Sequence, residues 1–344
     1  MNGPRIAVIG VTGAVGQVLL RLLEERSFPA SDIRLCASKR SWGRRLSVNG
    51  TELEVEEATP QLLSQVDIAF IAATGDVSRQ LAPLAADNGA MVVDKSSAFR
   101  MDPDVPLVIP EINGDDLAWH RGIVSSPNCS TTPLAMVLKP LMGLSVVDRV
   151  IVDTYQSVSG AGAEAVRELR LQSAKALDGG TVNAQTLPHQ IAFNLLPQVE
   201  TFLDTGYTTE EMKIVDETRK ILHEPDLAVS ATCVRVPVIV GHSEAVHIEF
   251  RDAVTPDEVR QALTVATGVR VLDDPAAEVY PMPIHAEGHD DVLVGRVRQD
   301  VSHPRGVALW VACDNLRKGA ALNSIQIAEE LLSRELLPAQ KGRD

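Results

Sequence analysis

The sequence predicts an α/β protein in which a doubly wound parallel sheet is followed by an α+β domain with a mixed sheet. From Arg5 onward, short apolar runs alternate with amphipathic stretches, a pattern typical of parallel strands connected by helices. After Cys129 the apolar runs are longer and tend to alternate with polar residues, as in strands with one buried face. We therefore predict a first domain over residues 1–128 and a second over residues 129–314. A C-terminal helix at 315–340 is expected to return to the first domain.

The elements of the first domain follow from the spacing of apolar residues. Strands are predicted at short runs of branched apolar residues, and helices where apolar residues recur every three or four positions. The predicted strands are Arg5–Ile9, Asp32–Ala37, Ile68–Ala72, Met91–Asp94 and Ile123–Ser125. The predicted helices are Val15–Glu25 and Asp76–Asp87. This alternation is the Rossmann-like arrangement that binds nucleotides.

The second domain is predicted from four longer strand candidates. They are Val150–Tyr155, Ala231–Pro237, Ala245–Phe250 and Gly306–Cys313. The final segment, from Leu316 to Leu337, again has apolar residues at helical spacing. We expect this segment to pack against the first domain.

Composition limits the classes of partner. The chain has 344 residues, 45% of them apolar and 23% charged, which is ordinary for a globular protein of two domains. Its formal charge of −14 argues against nucleic acids and anionic membranes as partners, since both are polyanions. The four cysteines are widely spread without a C-x-x-C pair, so we expect a reducing compartment rather than a disulfide framework.

The N-terminal residues favour a cytoplasmic location. Residues 1–4 lead directly into a predicted strand, without a basic region followed by an apolar core and a cleavage site. The longest apolar runs fall short of the roughly 18 residues that a membrane span requires. We therefore expect neither a targeting signal nor a membrane span.

A glycine-rich turn predicts a dinucleotide site. The segment Gly10–Gly16 follows the first predicted strand, opens the first predicted helix and has G-x-x-G-x-x-G spacing. Such glycines allow the backbone to approach a pyrophosphate closely, with the helix N-terminus facing the anion. We predict that the first domain binds a dinucleotide here.

The end of the second predicted strand favours NADP over NAD. An Asp or Glu that binds the ribose hydroxyls is usual at this place in NAD enzymes, but this chain has Ala37-Ser38-Lys39-Arg40-Ser41. A basic, hydroxyl-bearing loop suits the 2′-phosphate of NADP. The alternative is that Lys39 and Arg40 are solvated loop charges.

Cys129 is the strongest candidate for chemistry. It lies in Ser125–Thr132, just before a run with apolar residues at helical spacing, Thr132–Leu141, and we place it in the first turn of that helix. Ser126 and Asn128 are both of helix-capping types. Backbone N–H groups and the positive end of the helix dipole favour a thiolate there, which is a nucleophile at neutral pH. The alternative is a cysteine that fills space as a small hydrophobe.

A cysteine nucleophile together with a nicotinamide cofactor indicates oxidoreduction between an aldehyde and an acyl group, through a thiohemiacetal and a thioester. Such a reaction needs an acid or base, and His242, at a glycine-marked turn after a strand, is the best placed of the eight histidines. Arg235 and Arg100 are candidates for binding carboxylate or phosphate, because their planar forks suit these anions. Either arginine is equally explained as a surface ion-pair partner.

Metal binding is not predicted. A group of histidines and carboxylates near the C-terminus resembles a ligand set, but its Gly288–Asp291 run is typical of a polar turn. The group has no regular ligand spacing on a helix or a strand pair. The residues discounted in this way are His285, Glu287, His289, Asp290, Asp291 and His303.

Taken together, these segments resemble the bacterial aspartate-semialdehyde dehydrogenases over essentially the whole chain. The similarity rests on several motifs in the same order. They are the glycine turn Gly10–Gly16, D-K-S-S-A-F-R ending at Arg100, P-N-C-S-T around Cys129, Y-Q-x-x-S-G-x-G at Tyr155–Gly162, E-E-M-K at Glu210–Lys213, R-V-P-V-x-x-G-H-S at Arg235–Ser243 and D-N-L-R-K-G-A-A at Asp314–Ala321.

The resemblance implies a role for each matching residue. Cys129 would be the acyl-thioester nucleophile and His242 the acid and base. Gln156 would position the substrate, while Arg235 binds its carboxylate and Glu210 its amino group. Phosphate would be held by Arg100 and Lys213. The residues implied to line the NADP site are Gly10, Thr12, Gly13, Ala14, Val15, Arg40, Ser41, Ser159, Gly160 and Asn315.

The reaction implied by the resemblance is the reversible NADPH-dependent conversion of 4-phospho-L-aspartate to L-aspartate 4-semialdehyde and phosphate. Synthesis of lysine, diaminopimelate, threonine, methionine and isoleucine depends on it. The family also implies a homodimer formed through the second domain. The alternatives are an N-acetyl-gamma-glutamyl-phosphate reductase, a phosphorylating sugar-phosphate dehydrogenase and a non-catalytic dinucleotide-binding relative. A free ammonium group on the substrate calls for a carboxylate such as Glu210, whereas an acetylated nitrogen does not.

Overall fold

The computed structural model describes residues 3–338, which form two compact units. The first unit contains the described residues as far as Pro127 and those from Ala320 onward, and the second unit contains Asn128–Gly319. Among the described residues, no helix has the length and apolar character needed to cross a membrane.

The first unit contains a sheet of seven strands. They are β1 (Arg5–Ile9), β2 (Asp32–Cys36), β3 (Arg45–Val48), β4 (Thr51–Glu56), β5 (Ile68–Ile71), β6 (Met91–Asp94) and β7 (Ile123–Ser125). Their order is β3-β4-β2-β1-β5-β6-β7, and every pair except β3 with β4 is parallel. The chain runs outward from β1 in both directions, so the predicted doubly wound fold is confirmed.

One edge of this sheet differs from the prediction of parallel strands alone. Strands β3 and β4 form an antiparallel hairpin. They are joined by Asn49 and Gly50, which have φ values of 50° and 73°. Asn-Gly favours such a tight turn, because both residues tolerate positive φ. The dipeptide was therefore a signal in the sequence that the strand prediction did not use.

The helices of the first unit pack on this sheet. They are α1 (Ala14–Glu25), α2 (Pro60–Leu63), α3 (Gly75–Asp87), α4 (Pro110–Asn113) and, from the C-terminal segment, α10 (Leu322–Ser333). Helix α1 buries its predicted apolar stripe, which includes Val18, Leu19, Leu22 and Leu23.

Helix α10 confirms the return of the C-terminal segment to the first unit. Asn323 Nδ2 donates to Val108 O at 2.9 Å and to Ser126 Oγ at 3.0 Å. The helix is shorter than predicted at both ends: a π-helical turn over Arg317–Ala321 precedes it, and it stops at Ser333, just before Glu335 with φ of 55°. The last residues of the predicted range 315–340 lie outside the described residues.

The second unit contains a mixed sheet of six strands. They are β8 (Val147–Gln156), β9 (Ala228–Arg235), β10 (His242–Phe250), β11 (Val269–Val271), β12 (Val292–Gln299) and β13 (Gly306–Cys313). Their order is β11-β12-β13-β10-β8-β9, with parallel pairs at the two edges and antiparallel pairs between them. The predicted mixed sheet is confirmed, and β11 and β12 are strands that the sequence analysis did not predict.

Five helices belong to the second unit within the described chain. They are α5 (Thr131–Leu141), α6 (Ala163–Leu177), α7 (Thr209–Leu222), α8 (Pro256–Thr264) and α9 (Pro283–Ala286). Helix α7 begins with a capping box, in which the Thr208 side chain accepts from Glu211 N and the Glu211 side chain accepts from Thr208 N. This cap fixes where α7 starts and therefore which face of the helix carries Glu210 and Lys213.

Candidate active site

Cys129 lies just before helix α5 rather than in its first turn. The helix starts at Thr131, with Ser130 as its N-cap. The side chain of Asn128 closes a local turn there, because its Oδ1 accepts from the backbone N–H of Ser130 at 2.8 Å, and Cys129 lies in this turn. Ser126, the other predicted cap, has its hydroxyl bonded to Asn323 Nδ2 instead. Cys129 is half-buried, whereas the other three cysteines are fully buried thiols.

His242 faces the cysteine. Its Nε2 lies 3.3 Å from Cys129 Sγ, within hydrogen-bond distance for sulfur. The histidine is the first residue of strand β10, so its predicted position in a turn was wrong. Gly241, the residue before it, does turn the chain, with φ of 92°. A strand fixes the imidazole more firmly than a loop would, because β10 pairs with strands on both sides.

The sheet brings two further predicted residues to the same end. Gln156 and Arg235 are opposite each other in the parallel pair β8 and β9, at the last position of each strand. On the other side of β8, Ser243 is opposite Tyr155, which places His242 beside Gln156. Three side chains predicted from separate motifs thus stand in one row across neighbouring strands.

Glu210 is the centre of a buried hydrogen-bond network. Its Oε1 accepts from Asn128 Nδ2 at 2.9 Å and from Gln156 Nε2 at 3.0 Å, and Lys213 Nζ lies 3.4 Å from Oε2. Burial acts to raise the pKa of Glu210, but Lys213 and these two hydrogen bonds outweigh it and hold the pKa below its ordinary value. Glu210 is therefore a fixed, ionised carboxylate beside the segment that carries Cys129.

Arg235 is buried too, with 7% of its surface exposed, and its Nη1 donates to Ser157 O at 2.9 Å. Burial lowers the pKa of Arg235, and the negative charge of Glu210 acts in the opposite direction. Arg100, in the first unit, is 5% exposed, and it donates from Nε to Ser126 O and from Nη2 to Lys95 O. The interpretation of either arginine as a surface ion-pair partner was wrong.

The first unit contains the predicted turn for a dinucleotide. Gly10 has φ of 87°, and a Cβ there would lie 2.2 Å from Ala72 O. A Cβ on Gly16 would lie 2.3 Å from Gly10 O, so both positions require glycine. Helix α1 begins after Gly13 with no side-chain cap and no acidic residue in its first turn. These features fit a pyrophosphate, which needs close backbone approach and a positive helix end.

The loop after β2 carries the other first-unit residues predicted to bind cofactor. Ser41 Oγ lies 3.5 Å from Thr12 Oγ1, which joins this loop to the glycine turn. Arg40 is exposed, and Lys39 Nζ stands 5.8 Å from the centre of the Trp42 ring.

The second-unit residues predicted to bind cofactor lie beside the histidine. Asn315 Nδ2 donates to Ser159 Oγ at 3.0 Å. A Cβ on Gly160 would lie 3.0 Å from Arg235 Nη1 and 3.2 Å from His242 Nε2. The absence of a side chain at Gly160 therefore keeps the surface next to His242 open.

Three residues near the site were missed by the sequence analysis. Glu217 accepts the backbone N–H of Asn128 at 2.7 Å. Its position seven residues after Glu210 on one helix was a usable signal, since that spacing returns to the same face. Ser157 contacts His242 directly. Glu244 follows His242 by two residues in β10, so strand alternation puts both on one face.

Glu244 is an unusual residue for a sheet interior. It is 1% exposed, and neither carboxyl oxygen has a hydrogen-bond partner among the described residues. Burial raises the pKa of Glu244 well above its ordinary value. The carboxyl therefore keeps its proton to a higher pH than an ordinary glutamate does, on the same face of the sheet as His242.

We expect Glu244→Gln to stabilise the protein at alkaline pH. A carboxyl whose pKa is raised in the folded state keeps a proton that the unfolded chain releases above about pH 4.5, so wild-type stability falls as pH rises from there toward the raised value. The neutral amide removes this loss, which grows by about 1.4 kcal/mol per pH unit. Urea unfolding of the variant and the wild type at about pH 8 and about pH 4 measures the difference in their free energies of unfolding. Equal differences between variant and wild type at both values would contradict the prediction.

Among the side chains discounted as metal ligands, Asp290 instead accepts a hydrogen bond from Arg317 Nε at 2.7 Å. Across residues 3–338, no three His, Cys, Asp or Glu side chains are grouped as a metal ion would need.

A glycine turn that fits a dinucleotide, and a thiol paired with an imidazole in a separate unit, are typical of nicotinamide-dependent dehydrogenases that act on aldehydes. Comparison with known proteins agrees with this class. The family described as semialdehyde dehydrogenase, NAD binding domain, matches residues 5–120. The corresponding dimerisation domain matches residues 138–318.

Individual relatives match almost end to end. The aspartate-semialdehyde dehydrogenase of Bacillus subtilis is 48% identical, over 98% of this chain and 99% of its own. The crystal structure of aspartate semialdehyde dehydrogenase II complexed with ASA from Vibrio cholerae has a TM-score of 0.94 and 44% identity, over 97% of this chain and 99% of that one. The crystal structure of aspartate semialdehyde dehydrogenase with NADP from Candida albicans has a TM-score of 0.76 and 26% identity, over 97% of this chain and 99% of that one.

This chain belongs to the semialdehyde dehydrogenase family and, within it, to the aspartate-semialdehyde dehydrogenases. It is an oxidoreductase whose first unit contains the family's domain for a nicotinamide dinucleotide.

Proposed function

We propose that this enzyme catalyses the NADPH-dependent reductive dephosphorylation of 4-phospho-L-aspartate to L-aspartate 4-semialdehyde and phosphate, and the reverse reaction. The observation that carries the proposal is the 3.3 Å contact between Cys129 Sγ and His242 Nε2, beside the buried Glu210 and Arg235. The names of relatives at 48% and 47% identity support the same activity over the acetylated-glutamyl alternative. The products would feed synthesis of lysine, diaminopimelate, threonine, methionine and isoleucine.

Cys129 would be the nucleophile. Its Sγ forms a bond to the acyl carbon while the bond from that carbon to the phosphate oxygen breaks, which leaves a thioester on the enzyme. When bound, the nicotinamide supplies the hydride that reduces the acyl group. His242 exchanges protons through Nε2, the ring atom that faces the sulfur. The half-buried position of Cys129 admits the substrate, whereas the three other thiols are closed off.

Recognition of the substrate would use two opposite charges. Arg235 would bind the carboxylate through its planar fork, and Glu210 would bind the ammonium group. Gln156 holds this arrangement, because its Nε2 donates both to Glu210 Oε1 and to Ser130 Oγ, at 3.0 and 2.6 Å. A buried, ionised Glu210 favours a free amino group over an acetylated one, which carries no charge to offset it.

Phosphate would be held by Arg100 and Lys213. Lys213 is half-buried and has Glu200 and Glu210 as partners. Its ammonium group is therefore held in place before any anion arrives, at the end of the site where Glu210 stands.

The dinucleotide would be NADP. In support, the loop after β2 carries Lys39, Arg40 and Ser41 and no carboxylate, and Ser41 is within 3.5 Å of Thr12 of the glycine turn. The Candida albicans relative is described with NADP. The residues that would hold the cofactor are Gly10, Thr12, Gly13, Ala14, Val15, Arg40, Ser41, Ser159, Gly160 and Asn315. The family's dimerisation domain supports a homodimer, and we place the enzyme in the cytoplasm.

The direct test follows NADPH absorbance with aspartate semialdehyde and phosphate as substrates. We expect kcat/KM for aspartate semialdehyde to exceed that for the N-acetylglutamyl analogue by at least about 100-fold, because an acetylated nitrogen leaves Glu210 unpaired. NADP is expected to support faster turnover than NAD at equal concentration. Preference for the acetylated substrate would overturn the proposed function, and equal rates with both dinucleotides would overturn the choice of cofactor.

A further inference from the structure

Ser157 contacts both the histidine and the arginine of the site. It follows strand β8 directly and is fully buried. Its backbone N–H donates to His242 Nδ1 at 3.0 Å, and its carbonyl oxygen accepts from Arg235 Nη1 at 2.9 Å. Its hydroxyl oxygen lies 3.0 Å from the same His242 Nδ1. The motif that contains it, Y-Q-x-x-S-G-x-G, leaves this position unspecified.

The backbone contact determines where the imidazole carries its proton. A backbone N–H is always a donor, so the ring nitrogen that it approaches must be an acceptor. A neutral imidazole has one protonated and one unprotonated nitrogen. With Nδ1 accepting, the proton is on Nε2, and Nε2 is the atom 3.3 Å from Cys129 Sγ.

We propose that Ser157 is a positioning residue that holds neutral His242 as the Nε2–H tautomer, so that the histidine donates a hydrogen bond to the sulfur of Cys129. The inference deepens the proposed function and rests on it. In this arrangement the Cys129 sulfur accepts the Nε2 hydrogen before substrate binds. The nucleophile and its partner are therefore aligned in the resting enzyme.

The hydroxyl of Ser157 serves the other protonation state. Asn315 Oδ1 lies 3.1 Å from Ser157 Oγ and is fixed as an acceptor, because Gly241 N–H donates to it at 2.9 Å. When the Ser157 hydroxyl donates to Asn315, its oxygen lone pair faces His242 Nδ1. A protonated Nδ1 can no longer accept from the Ser157 backbone N–H, so if His242 becomes an imidazolium during the reaction the Ser157 oxygen, 3.0 Å away, is the acceptor for Nδ1–H. Asn315 thus orients the hydroxyl for this purpose.

The backbone and the side chain of Ser157 can be separated by substitution. The N–H that sets the tautomer and the carbonyl that holds Arg235 both belong to the backbone and are unchanged by substitution of the side chain, so the variant tests the hydroxyl alone. The hydroxyl acts only on His242, Ser159 and Asn315. We therefore expect Ser157→Ala to lower kcat about tenfold, the loss of one hydrogen bond to a charged group, with KM for aspartate semialdehyde within about twofold of wild type.

Ring nitrogen NMR of the full-length enzyme labelled with ¹⁵N-histidine tests the tautomer directly. The His242 signals are assigned by their loss in His242→Gln, and they are recorded above the titration of the ring, without substrate. We expect a protonated Nε2 and an unprotonated Nδ1. A protonated Nδ1, or the mixture typical of free histidine, would overturn the proposal.

Ser243→Ala is the matched control for the kinetics. Ser243 is also a buried serine, next to His242, but it follows the histidine in β10 and so faces the opposite side of the sheet. We expect its kcat to equal that of wild type. Equal losses in both serine variants, or a Ser157→Ala effect on KM alone, would refute the positioning role. If wild type turns over aspartate semialdehyde but has the other tautomer, this inference fails and the proposed function stands. If wild type does not turn it over, the function fails whatever the tautomer.

Discussion

Cys129→Ala is expected to abolish turnover while NADP still binds. The thioester requires the sulfur, and alanine offers no nucleophile, so kcat should fall by at least about 10⁴-fold, as when a nucleophile is removed in other covalent enzymes. The glycine turn that fits the dinucleotide belongs to the first unit and Cys129 to the second, so the substitution leaves the turn intact. Initial rates of NADPH formation and calorimetric titration with NADP measure the two properties.

Cys36→Ala is the matched control for this loss. Cys36 is fully buried at the end of β2, and burial raises the pKa of its thiol to about 12, so it is not a nucleophile at neutral pH. We expect the Cys36→Ala variant to be less stable than wild type, because of the cavity left in the core, and to have the kcat of wild type. Retained turnover in Cys129→Ala, or an equal loss in Cys36→Ala, would refute the mechanism.

Glu210→Gln is expected to have the next largest effect. The neutral amide cannot attract the substrate ammonium group, and it leaves Arg235 and Lys213 without their buried counter-charge. Removing one partner of a buried charge pair at a binding contact costs about 2–5 kcal/mol of binding free energy, so we expect a loss of about 10²-fold in kcat/KM for aspartate semialdehyde. Steady-state kinetics at neutral pH measure it, since wild-type Glu210 is ionised there.

Asp216→Asn provides the comparison on the same helix. Asp216 is half-exposed, and its carboxylate lies 4.0 Å from the guanidinium of Arg219. The substitution therefore removes one negative charge from α7 without changing a side chain of the site. We expect kcat/KM within about twofold of wild type, because a surface ion pair contributes little. If both variants behave alike, the effect of Glu210 is one of net charge and its proposed contact with the substrate is wrong.

Much of the fold was available from local pattern. Apolar periodicity predicted the strands β1, β6, β7 and β13 at their observed bounds, and helices α1 and α3 within a residue of theirs. These elements could be predicted because each has a regular apolar pattern and is flanked by turns. Elements without that regularity were missed, such as the short strand β11 and the bulged strand β12.

The candidate site was predicted as a set of residues rather than as a geometry. Motifs and the family resemblance named Cys129, Gln156, Glu210, Arg235 and His242, but each motif is confined to a few residues of chain. The partners of these side chains come from distant segments, as with Cys129 and His242, which are 113 residues apart. The missed contacts of Ser157 with His242 and of Glu217 with Asn128 are of the same kind.

The sequence by itself determined the class of fold, the dinucleotide turn and the identity of the chemical groups. Only the tertiary structure decided that Cys129 precedes its helix, that His242 begins a strand, and that Ser157 faces its second nitrogen. The physical reason is that periodicity and turn chemistry act over a few residues, whereas a hydrogen bond between strands depends on their register. Register is settled by packing of the whole sheet, so a shift of one residue would turn these side chains to its other face.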